Sequence, residues 1–443
     1  MHRDLIGELD RWKSQDQRLP LLIDGARQTG KTYLLAQLFA KRFARCLRVD
    51  FLERPEFIRA FDGSLTPSAL LANLQLLANQ PFDPATDLLI LDEIGECPRA
   101  VTALKYFAEQ LPNAYVSATG SNIGLLNSFP VGKVVQLNLR PLSFGEFLEA
   151  SGQDMLVDAY QTHHRSSVAH DLLMDQWTDY LYTGGMPAAV SAWFSHQDED
   201  ILGRVAKVQR IHADLISGYR RDFGKYAGRV SAQLIDAVFM QMPAQLSSVL
   251  DDSVKRFRFK DVYAQKSRYS EFEGAINWLH HCRLALLNYP IEGKPRAPLV
   301  AYRKPNRVKL FLFDVGLLNH MLQSTYQQIK QQAYEYKGFV AENFVQQELA
   351  VHGIEPTHSW VDARAEIEFL LTDSAGQIVP LEVKSGTRTR AKSLASFKQK
   401  YQPTKTIKLA ATIGTPINAD GFDRADIVLP LYDAGFALQA LKN

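Results

Sequence analysis

Eight consecutive residues, Gly25-Ala26-Arg27-Gln28-Thr29-Gly30-Lys31-Thr32, fit the pattern G-x-x-x-x-G-K-[ST]. Glycines let the main chain wrap closely, so that successive N–H groups and a helix N-terminus face an oligophosphate. In that setting the Lys31 ammonium is a point charge for the β- and γ-phosphates, and the Thr32 hydroxyl is a ligand for Mg²⁺. Further on, DLLILDE puts Asp92 at the carboxyl end of a buried strand, with Glu93 beside it. Asp92 would hold Mg²⁺ through water and Glu93 would polarise the attacking water, the mark of a hydrolytic site. ATP and Mg²⁺ are the cofactors this pattern implies. NAYVSATGSN ends in small hydroxyl residues, so Thr119 or Ser121 is the candidate to sit between the two motifs and sense the γ-phosphate. Arg140 and Lys133 are candidates for a basic contact to phosphate, in cis or from a neighbouring subunit, which leaves oligomerisation open.

A second group of such residues lies near the C-terminus. AEIEFLL carries Glu366 and Glu368 two apart, hence on one face of a strand, and IVPLEVKSG carries Glu382 and Lys384 in the same relation. Glu342 stands upstream in YKGFVAENFVQQELAVHG, which reads as an amphipathic helix with Glu342 and Glu348 off its densest apolar part. Carboxylates at 342, 368 and 382 are the types that bind one or two Mg²⁺ and polarise a phosphate, and Lys384 would orient the water. The competing interpretation is Glu/Lys pairs across a surface hairpin. Lys384, Arg388, Arg390, Lys392, Lys398, Lys400, Lys405 and Lys408 follow with no acid among them. Such a run suits the backbone of DNA or RNA, or forms a solvated helix face. Arg303, Lys304, Arg307 and Lys309 are a further basic set with the same two interpretations.

Elements must hold these residues in place. Leu5, Ile6, Leu9 and Trp12 recur at helical spacing, Pro20–Asp24 reads as a strand, and a helix follows from about Lys31 to Arg42. CLRVDF, DLLILDEI, NAYVSATGS and KVVQLNL alternate with helical text, the rhythm of a parallel α/β sheet. From about 150 to 290 the chain is mainly helical, broken at Gly184-Gly185-Met186-Pro187. PLVAYRKPNRVKLFLFD reads as a β-hairpin, the wing that follows the helix in SEFEGAINWLHHCRLALL. QSTYQQIKQQAYEYKG reads as a linker.

The chain has 443 residues, 46% apolar and 22% charged, with a net charge of +2, the balance of an ordinary globular protein. Three dispersed cysteines (Cys46, Cys97, Cys282) give no metal framework and suit a reducing compartment. The N-terminus lacks the apolar core of a signal peptide, and no run approaches the ~18 apolar residues that span a bilayer. A cytoplasmic protein with no membrane partner is expected.

GARQTGKT, LILDEI, TGSN, PLSFGEF, TGGMP and FLFDVGLL, in that order, resemble the prokaryotic AAA-type ATPases with a C-terminal DUF4143 region, relatives of the archaeal-type ATPases. The resemblance runs from about Leu19 to Leu394. It implies an α/β fold with a P-loop core of additional-strand type over 1–150, a helical lid over 151–245 and a winged helix over 246–325. A restriction-endonuclease-like domain of PD-(D/E)XK kind is implied over 326–443. Family members often carry arginine where Lys133 stands, and lysine keeps the charge without the bidentate fork. They usually carry aspartate where Glu368 stands; one extra methylene displaces a carboxylate by roughly 1 Å, which can cost ~100-fold in rate. The function implied is ATP hydrolysis coupled to a nuclease-like domain acting on nucleic acid. The alternative is an ATP-dependent switch, or a nucleic-acid-binding protein with a degenerate nuclease fold, working through a protein partner.

Overall fold

Apolar runs in the first third of the chain become five strands: β1 (Leu21–Asp24), β2 (Cys46–Asp50), β3 (Leu88–Asp92), β4 (Tyr115–Gly120) and β5 (Val135–Asn138). They lie in the order β2-β3-β4-β1-β5, every pair parallel. This computed structural model describes residues 1–441 other than 122, 124–128, 196–199, 227–230, 248–256, 305, 332–335, 363–364, 387–391 and 416–424. The chain divides into two units, Met1–Arg140 with His281–Arg283, and Pro141–His280 with Leu284–Asn443.

In the first unit both faces of the sheet are covered, which is why the inner strands β1 and β3 are apolar up to their closing aspartates. Successive side chains point to opposite faces. Leu21, Ile23, Leu88 and Ile90 pack with Trp12, Leu34, Leu35 and Phe39. Leu22, Leu89 and Leu91 pack on the other face with Leu70, Leu74, Leu104 and Phe107. Full burial of each such side chain is worth about 1.5–3 kcal/mol, so two full layers hold the sheet edge that carries the motifs. The helix expected from Lys31 to Arg42 is present in three hydrogen-bonding registers. Lys31–Tyr33 is α, Leu34–Phe39 is π and Ala40–Arg42 is 3-10.

The second unit opens with helices, among them Ser167–Thr183, Pro187–Phe194, Ile201–Tyr226 and Ala232–Ser247. It then builds a seven-stranded mixed sheet from β6 (Ala285–Glu292), β7 (Lys309–Leu312), β8 (Thr357–Asp362), β9 (Ala365–Thr372), β10 (Ile378–Lys384), β11 (Thr406–Ala410) and β12 (Asp426–Pro430). The order is β12-β11-β10-β9-β8-β6-β7. β8, β9 and β10 are antiparallel neighbours, β10, β11 and β12 are parallel, and β6 pairs parallel with β8 and antiparallel with β7. Helix Lys392–Tyr401 lays Leu394 and Phe397 on Trp360 and Ile367 of one face.

Three expectations need correction. The strand paired with β7 is Ala285–Glu292, whereas Leu299–Tyr302 of the expected hairpin is a 3-10 turn. The expected linker contains a helix, Tyr326–Lys330, closed by a capping box between Thr325 and Gln328. Helix Lys337–Val351 is buried almost all round, Glu342 and Glu348 included.

A buried polar network explains that last burial and joins PLSFGEF, TGGMP and FLFDVGLL. The Asp314 carboxylate accepts the N–H groups of Gly185 at 2.7 Å and Leu317 at 3.0 Å. Gly185 in turn accepts the Leu142 N–H at 2.7 Å. Gln347 donates to the Tyr180 hydroxyl at 2.8 Å and accepts the Val315 N–H at 2.9 Å, while Glu348 accepts the Phe144 N–H at 3.0 Å. Backbone groups outside regular structure must find such partners when buried. A Cβ on Gly185 would stand 2.1 Å from the Leu142 carbonyl oxygen, so only glycine permits this approach.

Candidate nucleotide site and the carboxylate cluster

β1 ends at Asp24, whose carboxylate accepts the Gly25 N–H at 2.9 Å and opens the loop. Its other oxygen pairs with Arg283 at 3.0 Å. A Cβ on Gly25 would lie 2.3 Å from the Leu139 carbonyl oxygen of the neighbouring chain segment, so the tight turn requires glycine. Thr29 bonds Ala26 at 2.9 Å within the loop, which delivers Lys31 and Thr32 to the helix start. Lys31 is buried, and its Nζ donates to Gly25 O at 3.0 Å, Ala26 O at 2.9 Å and Ser121 Oγ at 3.0 Å. Burial pushes its pKa down to about 8, against the opposing pull of Glu93, Asp24 and Asp92.

Asp92 is the meeting point. Its Oδ1 accepts the Thr32 hydroxyl at 3.0 Å and the Thr119 hydroxyl at 2.5 Å, and its Oδ2 accepts Arg48 Nε at 2.9 Å. Thr119 also accepts the N–H of Glu93 at 3.1 Å. Glu93, at φ +52°, has left the strand, and burial raises its carboxyl above the usual range although Lys31 pulls the other way. Two hard oxygen donors, Thr32 and Asp92, lie together, and that donor set fits Mg²⁺. Thr119 thus bonds the Asp92–Glu93 pair, and Ser121 bonds Lys31 of the loop. Lys133 forms an ion pair with Glu109 at 2.9 Å. Arg140 is buried, and its carbonyl accepts Arg3 at 2.6 Å. Arg3 also donates to the Thr29 carbonyl at 2.9 Å.

In the second unit Glu342, Glu368 and Glu382 are all buried, Glu382 completely. Glu368 Oε2 accepts the Val383 N–H at 3.0 Å, and Glu382 Oε1 lies 2.8 Å from Lys384 Nζ. Burial works to lower the Lys384 pKa, but Glu368, Glu382 and Glu342 outweigh it and hold the pKa above its ordinary value. Among the described residues these three carboxylates do not close into a set of three with ligand atoms near one another. Lys309, expected on an exposed wing, is instead buried at 4% exposure and bonds Glu342, with Glu366 at 3.5 Å. Lys304 and Arg307 pair with Glu292, Lys398 pairs with Asp426, and Lys400 pairs with Asp362. Arg388 and Arg390 lie outside the described residues.

Residues 17–148 match the family model of an AAA domain, AAA_14, and residues 337–433 match a domain of unknown function, DUF4143. The chain joins an AAA domain to a C-terminal DUF4143 region. Between them, residues 174–328 match a second domain of unknown function, DUF8612. No curated protein matches the chain. No helix among the described residues is long and apolar enough to cross a membrane.

Within the first unit the residues missed by sequence reasoning are Arg3, Arg48 and Arg283. Arg48 and Asp50 alternate on β2, and Asp50 stands beside Asp92 on β3, so R-x-D at a strand end was the available signal. In the second unit the missed contact is that of Lys309, from the DUF8612 match, with Glu342 of the DUF4143 match. A lone lysine in the apolar run VKLFLF is a signal in itself, since a buried charge needs a partner.

Proposed function

We propose that the AAA domain hydrolyses ATP to ADP and phosphate. The observation that carries this is the convergence of Thr32, Thr119 and Arg48 on Asp92, directly beside a half-buried Glu93. Loop N–H groups would wrap the phosphates, and Lys31, with a pKa of about 8, carries its charge at neutral pH to offset the β- and γ-phosphates. Mg²⁺, held by Thr32 and Asp92, would supply charge stabilisation on the transferring phosphoryl group. Thr119 fixes the turn that aims Glu93, whose raised pKa suits it to take a proton from the attacking water. Ser121, bonded to Lys31, is placed to follow the γ-phosphate. The test is turnover in two variants. Lys31→Ala should abolish it, and Glu93→Gln should keep nucleotide binding while losing about 10²–10⁴-fold in rate. Undiminished turnover in Lys31→Ala would refute the assignment.

For the rest of the chain we propose a helical lid, a winged-helix-like segment and a PD-(D/E)XK-like terminal domain. Support for the terminal domain is the succession of helix Lys337–Val351, antiparallel β8–β9–β10, helix Lys392–Tyr401 and parallel β11. Support for the wing is helix Tyr269–His281 leading into β6 and β7. Of the two outputs, the ion pairs favour the nucleotide-driven switch with a protein partner, in the cytoplasm, over cleavage of nucleic acid. Lys304, Arg307, Lys398 and Lys400 each have an acid of the same chain at hand, which weakens their pull on a phosphate backbone. Incubation with single- and double-stranded DNA and RNA, with and without ATP and Mg²⁺ or Mn²⁺, should yield no fragments. Mg²⁺-dependent fragments lost in Lys384→Ala would restore the nuclease reading.

A further inference from the structure

We propose that Lys309 is the resident cation of the DUF4143 carboxylate cluster, and that the cluster therefore takes no divalent metal. The inference rests on the PD-(D/E)XK-like reading of the terminal domain and deepens it.

The argument begins with what each carboxylate faces. Lys309, on β7, is 4% exposed and Glu342 is 3% exposed, so their ion pair is shielded from water. The same ammonium reaches Glu366 at 3.5 Å, so one side chain draws together the helix acid and the first acid of β9. An ammonium has three donors and no acceptor, and here two are directed at carboxylates. Glu368 gives Oε2 to the Val383 N–H at 3.0 Å. Glu382 has Lys384 at 2.8 Å as an ion pair on one oxygen, and among the described residues neither of its buried oxygens has a hydrogen bond. Of the three candidate ligands, Glu342 and Glu368 are thus already met by groups of the chain, and Glu382 has only the Lys384 charge beside it. Mg²⁺ requires oxygen ligands at about 2.0–2.1 Å in near-octahedral array and sheds its water reluctantly. Seating it on Glu342 would bring a divalent cation against a buried ammonium, where like charges repel with little screening. With Lys309 against it, Glu342 does not fit the metal, and the set lacks its helix ligand.

A lysine in this place also does what a metal would do for folding. It pairs with acids from a helix and a strand inside the protein, and it does so at any free metal concentration. The terminal domain should therefore keep its fold in chelator.

The experiment is titration of the nucleotide-free full-length protein with Mn²⁺, followed by electron paramagnetic resonance of free and bound ion. Wild type and Glu382→Gln should bind Mn²⁺ alike, because the cluster contributes no site. Lys309→Met should gain a site at least ~tenfold tighter than any in wild type, lost again in Lys309→Met/Glu382→Gln; tenfold is about 1.4 kcal/mol. A wild-type site abolished by Glu382→Gln would overturn the proposal together with the metal-free output. A folded Lys309→Met with no gained site would overturn the role of Lys309 alone. Should Lys309→Met fail to fold by circular dichroism, the comparison of wild type with Glu382→Gln decides.

Discussion

Replacing Gly185 by alanine would strike the polar network of the second unit at its tightest point. The new Cβ would stand 2.1 Å from the oxygen and 2.7 Å from the nitrogen of Leu142, both backbone atoms that no rotamer change can move. Ordinary contact begins near 3.4 Å, so the two segments must part by more than ~1 Å. That breaks the Leu142 N–H bond to the Gly185 carbonyl and the Gly185 N–H bond to Asp314, each 2.7 Å long. A buried group left without its partner costs about 1–3 kcal/mol, and more where a carboxylate is involved. The sum is about 3–6 kcal/mol, a large fraction of the 5–15 kcal/mol that holds a typical domain. Urea denaturation followed by tryptophan fluorescence would read it, since Trp177 and Trp193 are buried in the same unit. Gly218→Ala is the internal control. It lies within helix Ile201–Tyr226 with nothing within 4 Å of its added Cβ, and should stabilise by about 0.5–1 kcal/mol. A Gly185→Ala protein within ~1 kcal/mol of wild type would refute the reasoning.

Asp314 makes the same unit sensitive to pH. Burial raises its carboxyl from 3.8 to about 6, so the neutral form is favoured in the folded state. Its contribution is fully present below the unfolded value of 3.8 and is lost as pH rises through about 6. At about 1.4 kcal/mol per unit, two units amount to roughly 3 kcal/mol lost by neutral pH. Urea midpoints from pH 4 to 7.5 should show that slope and Asp314→Asn should flatten it; an unchanged slope counts against the assignment. Arg165 and Asp433 form a buried ion pair at 2.7 Å, with Asp433 wholly enclosed. Arg165→Ala should destabilise by about 3–5 kcal/mol, and Arg165→Met combined with Asp433→Leu should recover most of it, both read by the same denaturation.

The candidate nucleotide site could be read from the sequence because its residues are local. Gly25 to Thr32 are contiguous, and Asp92 with Glu93 ends one apolar strand, so spacing alone placed them. Arg48 escaped because β2 reaches β3 by a pairing between distant stretches of chain. Lys309 escaped for the same reason. It is the fold that brings β7, the Lys337–Val351 helix and β9 to one ammonium. Four apolar residues, Leu299 to Tyr302, looked like a strand because a short run carries no period able to separate strand from turn. The burial of Glu342 and Glu348 was illegible because helix periodicity reports apolar faces and is silent on acids that meet buried partners.

The pairing of β6 with β8 decides how the chain can be cut. Five residues, Asn288 to Glu292, register against Thr357 to Val361 across the interval between the DUF8612 and DUF4143 matches. A fragment that starts at the DUF4143 boundary would carry β8 as a bare edge, its ladder groups unpaired beside Trp360. Exposed edges of that kind recruit other strands, so such a fragment should self-associate. The natural excision point for the sheet lies upstream of β6, because the two regions share one sheet.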